Sequence, residues 1–499
     1  MLAPLISPNH CETRMKARSR SPMSLQLTIV IIAIQIVACF AIAGNPKSVI
    51  AQDNMTKGKL GDSNSGAIES EYDLAIDSKE DAVKIDLYDF ERLFSVHGQT
   101  TIVSQYHNRF HAPYSGIHSL VPFHEVATSQ TSTLFLGTRL YDGGELFFNP
   151  EVAGGRGLSG VSGVGGFPNG EITRVGLPQP TPYIARTYFT QTIGLGGGRE
   201  KVNDGPNSVA SYRDINRIGL TLGKLAATDF IDNNAFNHDP RTQFLNWALL
   251  YNGAWDYPAD VRGYTYGGVA ELNREQWAIR YGLFGEPTEA NGAVIDSHFD
   301  RVHGHAWEME LRNESGGLSG HLRLLAFLNR ANMGDYQQAT TDPAAMTDIT
   351  TTRRLRSKYG FGYSWDQELS EDLGLFSRAG WNDGRTESWA FTEIDRTFTV
   401  GARIRGTRWR RKDDEIGLGI AVNGLSPQHR AYLAAGGLGF ILGDGKLNYA
   451  LENAYETYYR WKISSNIFLT ANFQLILNPG FNQDRGPVFL EALRVHAEF

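Results

Sequence analysis

The side chains in this chain with the most chemical potential fall at alternate positions of short segments. They are Arg186 and Tyr188, followed by Thr190; Arg280; Glu308, Glu310 and Arg312; Arg323; Arg378; Arg403 and Arg405; Glu456, Tyr458 and Arg460; and Arg494. A spacing of two places each set on one face of a β-strand. Opposed rows of guanidinium and carboxylate groups hold a transverse field across a water-filled passage, and they replace hydrogen bonds that a polar solute loses on entering it. Tyrosine rings add flat surfaces for the apolar face of a sugar. The competing reading is that the same charges only solvate a wet interior.

No enzyme motif sits in a usable context. Gly194-Leu195-Gly196-Gly197-Gly198 lacks the Lys-Ser/Thr ending and the following helix of a phosphate loop. His303 and His305 share a strand face, but no third ligand is placed by the sequence, so a solvated pair is expected rather than a metal site. No Ser/His arrangement marks a hydrolase, though 13 histidines leave a barrel lipase open as an alternative. Cys11 and Cys39 are the only cysteines and both lie in the first 51 residues. Thiol chemistry, a disulfide frame and Cys-ligated zinc are therefore outside the mature chain's means. No cofactor and no metal are expected.

The elements that must carry these rows read as membrane strands. Ile416, Leu418, Ile420 and Val422 alternate with Gly417, Gly419, Ala421 and Asn423, a lipid face backed by small residues that leave room in a lumen. Tyr455, Thr457, Tyr459 and Trp461 oppose Glu456, Tyr458, Arg460 and Lys462, and their outward aromatics suit a membrane interface. Leu322, Leu324, Ala326 and Leu328 oppose Arg323, Leu325, Phe327 and Asn329; Trp277, Ile279, Tyr281 and Leu283 oppose Arg280; Phe398, Val400, Ala402 and Ile404 oppose Arg403 and Arg405. The last segment places Leu493, Val495, Ala497 and Phe499 on one face and Arg494, His496 and Glu498 on the other. A closing aromatic in such a strand resembles the sorting signature of bacterial outer-membrane barrels, which makes the barrel-assembly machinery an expected partner.

Past residue 51 no apolar run approaches the ~18 residues a spanning helix needs. The expected fold is therefore all-β, an outer-membrane antiparallel β-barrel of about 16 strands, a size that leaves an aqueous channel. Asp142-Gly143-Gly144, Asn382-Asp383-Gly384 and Asp444-Gly445 are expected hairpin turns. Gly154 to Pro182, Asp229 to Asp260 and Ala331 to Arg354 are too long for turns and are expected as loops or a lumen plug.

The ends divide the chain. Arg14, Lys16, Arg18 and Arg20 precede an apolar stretch from Leu25 to Ala43, the pattern of an export signal over residues 1–51, with small-residue cleavage sites at Ala43 and Ala51. Ile36-Val37-Ala38-Cys39 loosely resembles a lipobox, but apolar residues continue beyond the cysteine. Residues 52–96 form an acidic extension: Gly61 to Glu91 holds ten acidic residues against Lys79 and Lys84. The full chain has a formal net charge of −7, and Arg92 to Phe499, which contains the expected barrel, carries only −4. That balance argues against a strongly ion-selective pore and against nucleic acid as a partner.

Several blocks carry a family likeness. Gly374 to Gly384, Glu393-Ile394-Asp395-Arg396, Asn423 to His429, Ala434 to Phe440 and Leu477 to Gly480, together with His238 to Arg241, Phe244 to Trp247, Trp255 to Pro258 and Arg262 to Thr265, resemble the carbohydrate-selective porin family (OprB type). The resemblance implies a 16-stranded outer-membrane barrel that passes sugars by facilitated diffusion, with outer-membrane lipid around it. The alternatives are a nonspecific or weakly cation-preferring porin, an exporter of acidic polysaccharide and a barrel lipase. Nothing in the sequence selects an oligomeric state.

Overall fold

A strand with an apolar row on one face and a polar row on the other needs two different solvents. In lipid its backbone groups also need a neighbour on each edge, so a sheet of such strands has to close. A computed structural model describes residues 93–172 and 178–499. The export signal and most of the acidic extension lie outside the described residues.

The strands in chain order are β1 (Phe94–His107), β2 (Glu125–Tyr141), β3 (Gly144–Gly155), β4 (Thr181–Gly194), β5 (Arg199–Val202), β6 (Ser211–Asp214), β7 (Arg217–Leu225), β8 (Thr265–Asn273) and β9 (Trp277–Gly285). They continue with β10 (His303–Ser315), β11 (Leu318–Met333), β12 (Arg354–Ser370), β13 (Leu373–Asn382), β14 (Arg396–Gly406), β15 (Arg411–Gly424), β16 (Glu452–Lys462), β17 (Ile467–Leu477) and β18 (Val488–Glu498). All but β5 and β6 form one closed barrel of 16 strands, in which β1 pairs with both β2 and β18. Each neighbouring pair is antiparallel, and Gly98 and Phe499 exchange backbone hydrogen bonds of 3.1 and 2.9 Å where the first and last strands meet. The Phe499 ring lies over Gly98, where a Cβ would come within 2.4 Å of it.

Alternation along the wall follows the sequence pattern. Leu324, Val400, Leu418, Tyr455 and Leu493 are exposed on the outer face, while Arg323, Thr399, Ala421, Glu456 and Arg494 are buried inside. Short turns gather at one end of the barrel, with residues 316–317 joining β10 to β11 and 371–372 joining β12 to β13. Long connections gather at the other end, including 156–180, 226–264, 334–353 and 425–451. In outer-membrane barrels the short turns face the periplasm and the long loops face outward.

Asp142-Gly143 is a tight turn as expected, with Gly143 at φ +79°. Asn382-Asp383-Gly384 instead opens the connection 383–395, and Asp444-Gly445 lies inside the connection 425–451, which also holds a helix, Pro427–Ala434. Gly384 and Gly445 do take positive φ, but a left-handed glycine serves a loop bend as well as a hairpin. The glycines at 196–198, also at positive φ, turn the chain into the β5–β6 hairpin at the short-turn end. Its tip reaches the inner wall: Ser95 Oγ donates to Gly205 O at 3.2 Å, and Asn149 Nδ2 to Asn207 Oδ1 at 2.7 Å.

Candidate functional site

The lumen is narrowed from within by the connection between β7 and β8, residues 226–264. Its sequence is unlike that of a solvated loop: Ile231, Phe244, Leu249 and Trp255 are fully buried, and a short helix, α1 (Trp247–Leu250), is capped by the Asn246 side chain accepting from Ala248 N. These apolar groups pack on the inward residues Phe376 and Tyr458, with the Phe244 ring 5.3 and 5.1 Å from theirs. Small inward residues make the room. A Cβ at Gly374 would come within 2.3 Å of Phe236, one at Gly419 within 2.8 Å of Phe244, and one at Gly380 within 1.9 Å of Asn252. The glycines alternating along β12 to β15 thus accommodate an inserted segment rather than widen the channel.

Polar wall residues fasten that segment. Arg378 donates to Asp232 Oδ1 at 2.9 Å and to the carbonyls of Asn237, Leu249 and Asp232. Glu456 accepts from Leu245 N and Asn246 N at 2.6 and 2.9 Å, Arg494 donates to Pro240 O and Gln243 O at 2.6 and 2.8 Å, and Glu308 accepts from Asp232 N at 2.6 Å. Arg378, Glu456 and Arg494 therefore point inward, as their alternation requires, but the inserted segment encloses them. Buried backbone donors and acceptors need partners, and these charged groups supply them.

Other sequence-selected residues meet in one network. Arg280 contacts Glu271 at 2.7 Å, Glu308 at 2.7 Å and Glu310 at 3.0 Å; Arg312 and Arg323 reach Glu310 at 2.6 and 2.9 Å; Arg323 continues to Asp366 at 2.5 Å. Across the barrel, Tyr458 donates to Glu415 at 2.6 Å, with Arg460 at 3.4 Å and Arg403 at 3.9 Å from the same carboxylate. Arg405 is exposed near the turn after β14. His303 and His305 lie on the outer face with Trp307, away from the lumen, and Tyr281 Oη is 2.9 Å from His305 Nδ1.

Among the described residues, cavities lie on both sides of the inserted segment, two of them defined by their lining. The larger, about 620 Å³, lies toward the short-turn end, between the β5–β6 hairpin and Asp229, Phe230 and Asn233; Arg139, Glu145, Tyr188, Glu271, Arg280, Glu310, Arg312 and Arg323 line its wall. The smaller, about 130 Å³, lies toward the loop end and combines Glu151, Glu171, Arg241 and Arg262 with the rings of Tyr183, Trp247, Tyr251, Tyr257, Tyr264 and Phe391. Arg186 stands where the two sets of lining residues meet. Its Nε and Nη2 donate to Asp229 at 2.7 and 2.6 Å, and its guanidinium lies 5.1 Å from the centre of the Tyr264 ring. Tyr188 packs beside it against Phe147 and Phe230, at 5.2 and 6.0 Å between ring centres.

The electrostatics of the smaller cavity come from its loops. Burial raises the Glu171 carboxyl, partly offset by Arg241 at 3.1 Å. Burial opposes the Arg241 charge, but Glu171 and Glu151 outweigh it and hold the guanidinium above its ordinary value. Burial pushes the Tyr251 hydroxyl up to about 12 and the His238 imidazole down to about 4.

Strand alternation does not select Asp229, Glu171, Arg241, Tyr264 or Trp247, because it says nothing about a loop that re-enters the lumen. The signal is present in another form. The family-like blocks His238 to Arg241, Phe244 to Trp247, Trp255 to Pro258 and Arg262 to Thr265 all belong to the inserted connection and its exit.

Comparison with known proteins gives the same architecture. The structure of Pseudomonas putida OprB at high pH matches with a TM-score of 0.63 at 16% identity, covering 82% of this chain and 95% of that chain. The outer membrane channel DcaP of Acinetobacter baumannii matches with a TM-score of 0.46 at 9% identity, covering 81% of this chain and 97% of that one. No curated protein matches by sequence. The family model described as carbohydrate-selective porin, OprB family, matches residues 120–499. The chain therefore belongs to the carbohydrate-selective porins of the OprB family, channels of the bacterial outer membrane.

Proposed function

We propose that neutral sugars cross this porin passively through the two cavities, and that the Arg186–Asp229 layer between them is the selective step. The observation that carries this reading is the position of that ion pair, bonded at 2.6 Å, between one cavity lined by aromatic rings and another lined by alternating charges. In the smaller cavity, rings would receive the apolar face of a sugar while Glu151 and Arg241 take its hydroxyls. Each hydroxyl would exchange water for a fixed donor or acceptor, favourable enough for entry and weak enough for release. In the larger cavity Arg280, Arg312 and Arg323, paired with Glu271, Glu308, Glu310 and Asp366, offer both donors and acceptors with little net charge, three cations against four anions, which suits neutral solutes over ions. Arg186, Tyr188, Arg280, Glu310, Arg312 and Arg323 would contact the solute, while Arg378, Glu456 and Arg494 would position the inserted segment.

Single-channel current with added mono- and disaccharides tests this reading. The parent protein should be blocked saturably, and Arg186→Ala should raise the open current and weaken the block by roughly tenfold, the value of one charge-assisted hydrogen bond of about 1.5 kcal/mol. If no sugar in a broad panel reduces the current while an anionic oligosaccharide blocks it at low salt, an exporter of acidic polysaccharide replaces this reading.

A further inference from the structure

The outer wall carries cations that the permeation path does not use. Arg330 on β11 follows the outward row of Leu324 and Leu328, and Arg396 on β14 precedes the outward Phe398; both are exposed at the loop end of the barrel. Neither guanidinium has a hydrogen bond or ion pair among the described residues. Between them stand Tyr359 and Trp381, outward rings 5.9 Å apart between centres. Register connects the set: Arg330 pairs with Ser357, two residues before Tyr359, and Trp381 pairs with both Phe361 and Arg396. His303, opposite Arg330, gives its Nδ1 to the Phe299 carbonyl.

We propose that this face binds the phosphorylated sugar head of an outer-leaflet glycolipid. The two arginines are three strand spacings apart across the sheet, about 14 Å, and four residues apart along it, about 13 Å. That sets their Cα atoms about 19 Å apart, a separation that two arginine side chains extended toward each other would shorten to the span of a disaccharide with a phosphate at each end; a single phosphate would reach only one of them. Guanidinium groups recognise phosphate through paired donors, and the rings between them present a surface on which the sugars lie. Acyl chains would then run down the apolar rows of Leu324, Leu328, Phe361 and Phe398, all exposed on the same wall. An arginine at the edge of the hydrocarbon layer has to reach charge or water, and neither of these two has an anionic partner among the described residues.

Native mass spectrometry of the detergent-solubilised protein tests the proposal, using lipid A with two phosphates, lipid A without phosphate, and phosphatidylglycerol. The diphosphorylated form should be retained at least tenfold better than the other two. The double variant Arg330→Leu and Arg396→Leu should lose that preference, while Arg330→Lys with Arg396→Lys keeps part of it. Leucine suits a lipid-facing site, and the heat-modifiable form checks that the variant is folded. Equal retention by parent and double variant, or equal retention of phosphate-free lipid A, would overturn the proposal. Equal retention of phosphatidylglycerol would overturn the glycolipid assignment.

Discussion

Two residues set how firmly the lumen is filled. Gly374 faces Phe236 so closely that any side chain would displace the inserted segment. Gly374→Leu should cost about 1 to 3 kcal/mol, the usual penalty for overpacking, and should raise the open current while the heat-modifiable barrel persists. Gly219→Ala is the control, since its Cβ would meet only Glu271 at 3.8 Å. The His238 ring packs edge-on against Tyr251 at 5.1 Å with its Nδ1 enclosed, and its imidazole is held down to about 4. Because that value lies below the ordinary one, the segment's stability is full above about pH 6.5 and is lost as pH falls toward 4, by at most on the order of 3 kcal/mol. Current noise should increase over that window in the parent and stay flat in His238→Phe, which cannot titrate.

At the scale of a strand, β11 allows the two faces to be compared at adjacent positions. Leu324 faces lipid at 47% exposure, and Arg323 faces the lumen bonded to Glu310 and Asp366. Leu324→Arg should cost about 2 to 4 kcal/mol near the membrane midplane and reduce the inserted, heat-modifiable form. Arg323→Leu should insert, because Glu310 keeps Arg280 and Arg312 and Asp366 keeps His321 at 2.7 Å. Its effect should fall on permeation. The opposite pair of outcomes would mean that the wall alternates in the other sense.

At the scale of the molecule, closure depends on the seam between β1 and β18. Phe499 contributes two backbone hydrogen bonds and a ring over Gly98, and it completes the outward row of Leu493, Val495 and Ala497. Deleting Phe499 should lower the yield of inserted barrel in cells, measured as the heat-modifiable band. If the truncated chain inserts as well as the parent, the strand's closing residue has no part in assembly. Because lumen charges are largely paired, ion selectivity should be modest and should fall further as salt screens them, which reversal potentials at two salt concentrations would check.

The barrel wall follows from the order of residues alone. Period-2 rows such as Leu322 to Leu328 against Arg323, with no apolar run past residue 51 long enough for a spanning helix, leave a closed barrel as the structure that satisfies every backbone group in lipid. The inward direction of the charged rows follows from the same period. Which of those charges meet water and which hold protein depends instead on packing between distant segments. Arg378 and Arg280 have the same inward pattern, yet one is enclosed by Asp232 and loop carbonyls while the other lines a cavity. The difference comes from residues 226–264 folding back into the lumen, a contact between segments far apart in the chain. Local alternation reports the two faces of a strand, and it carries no information about what a distant loop places against one of them.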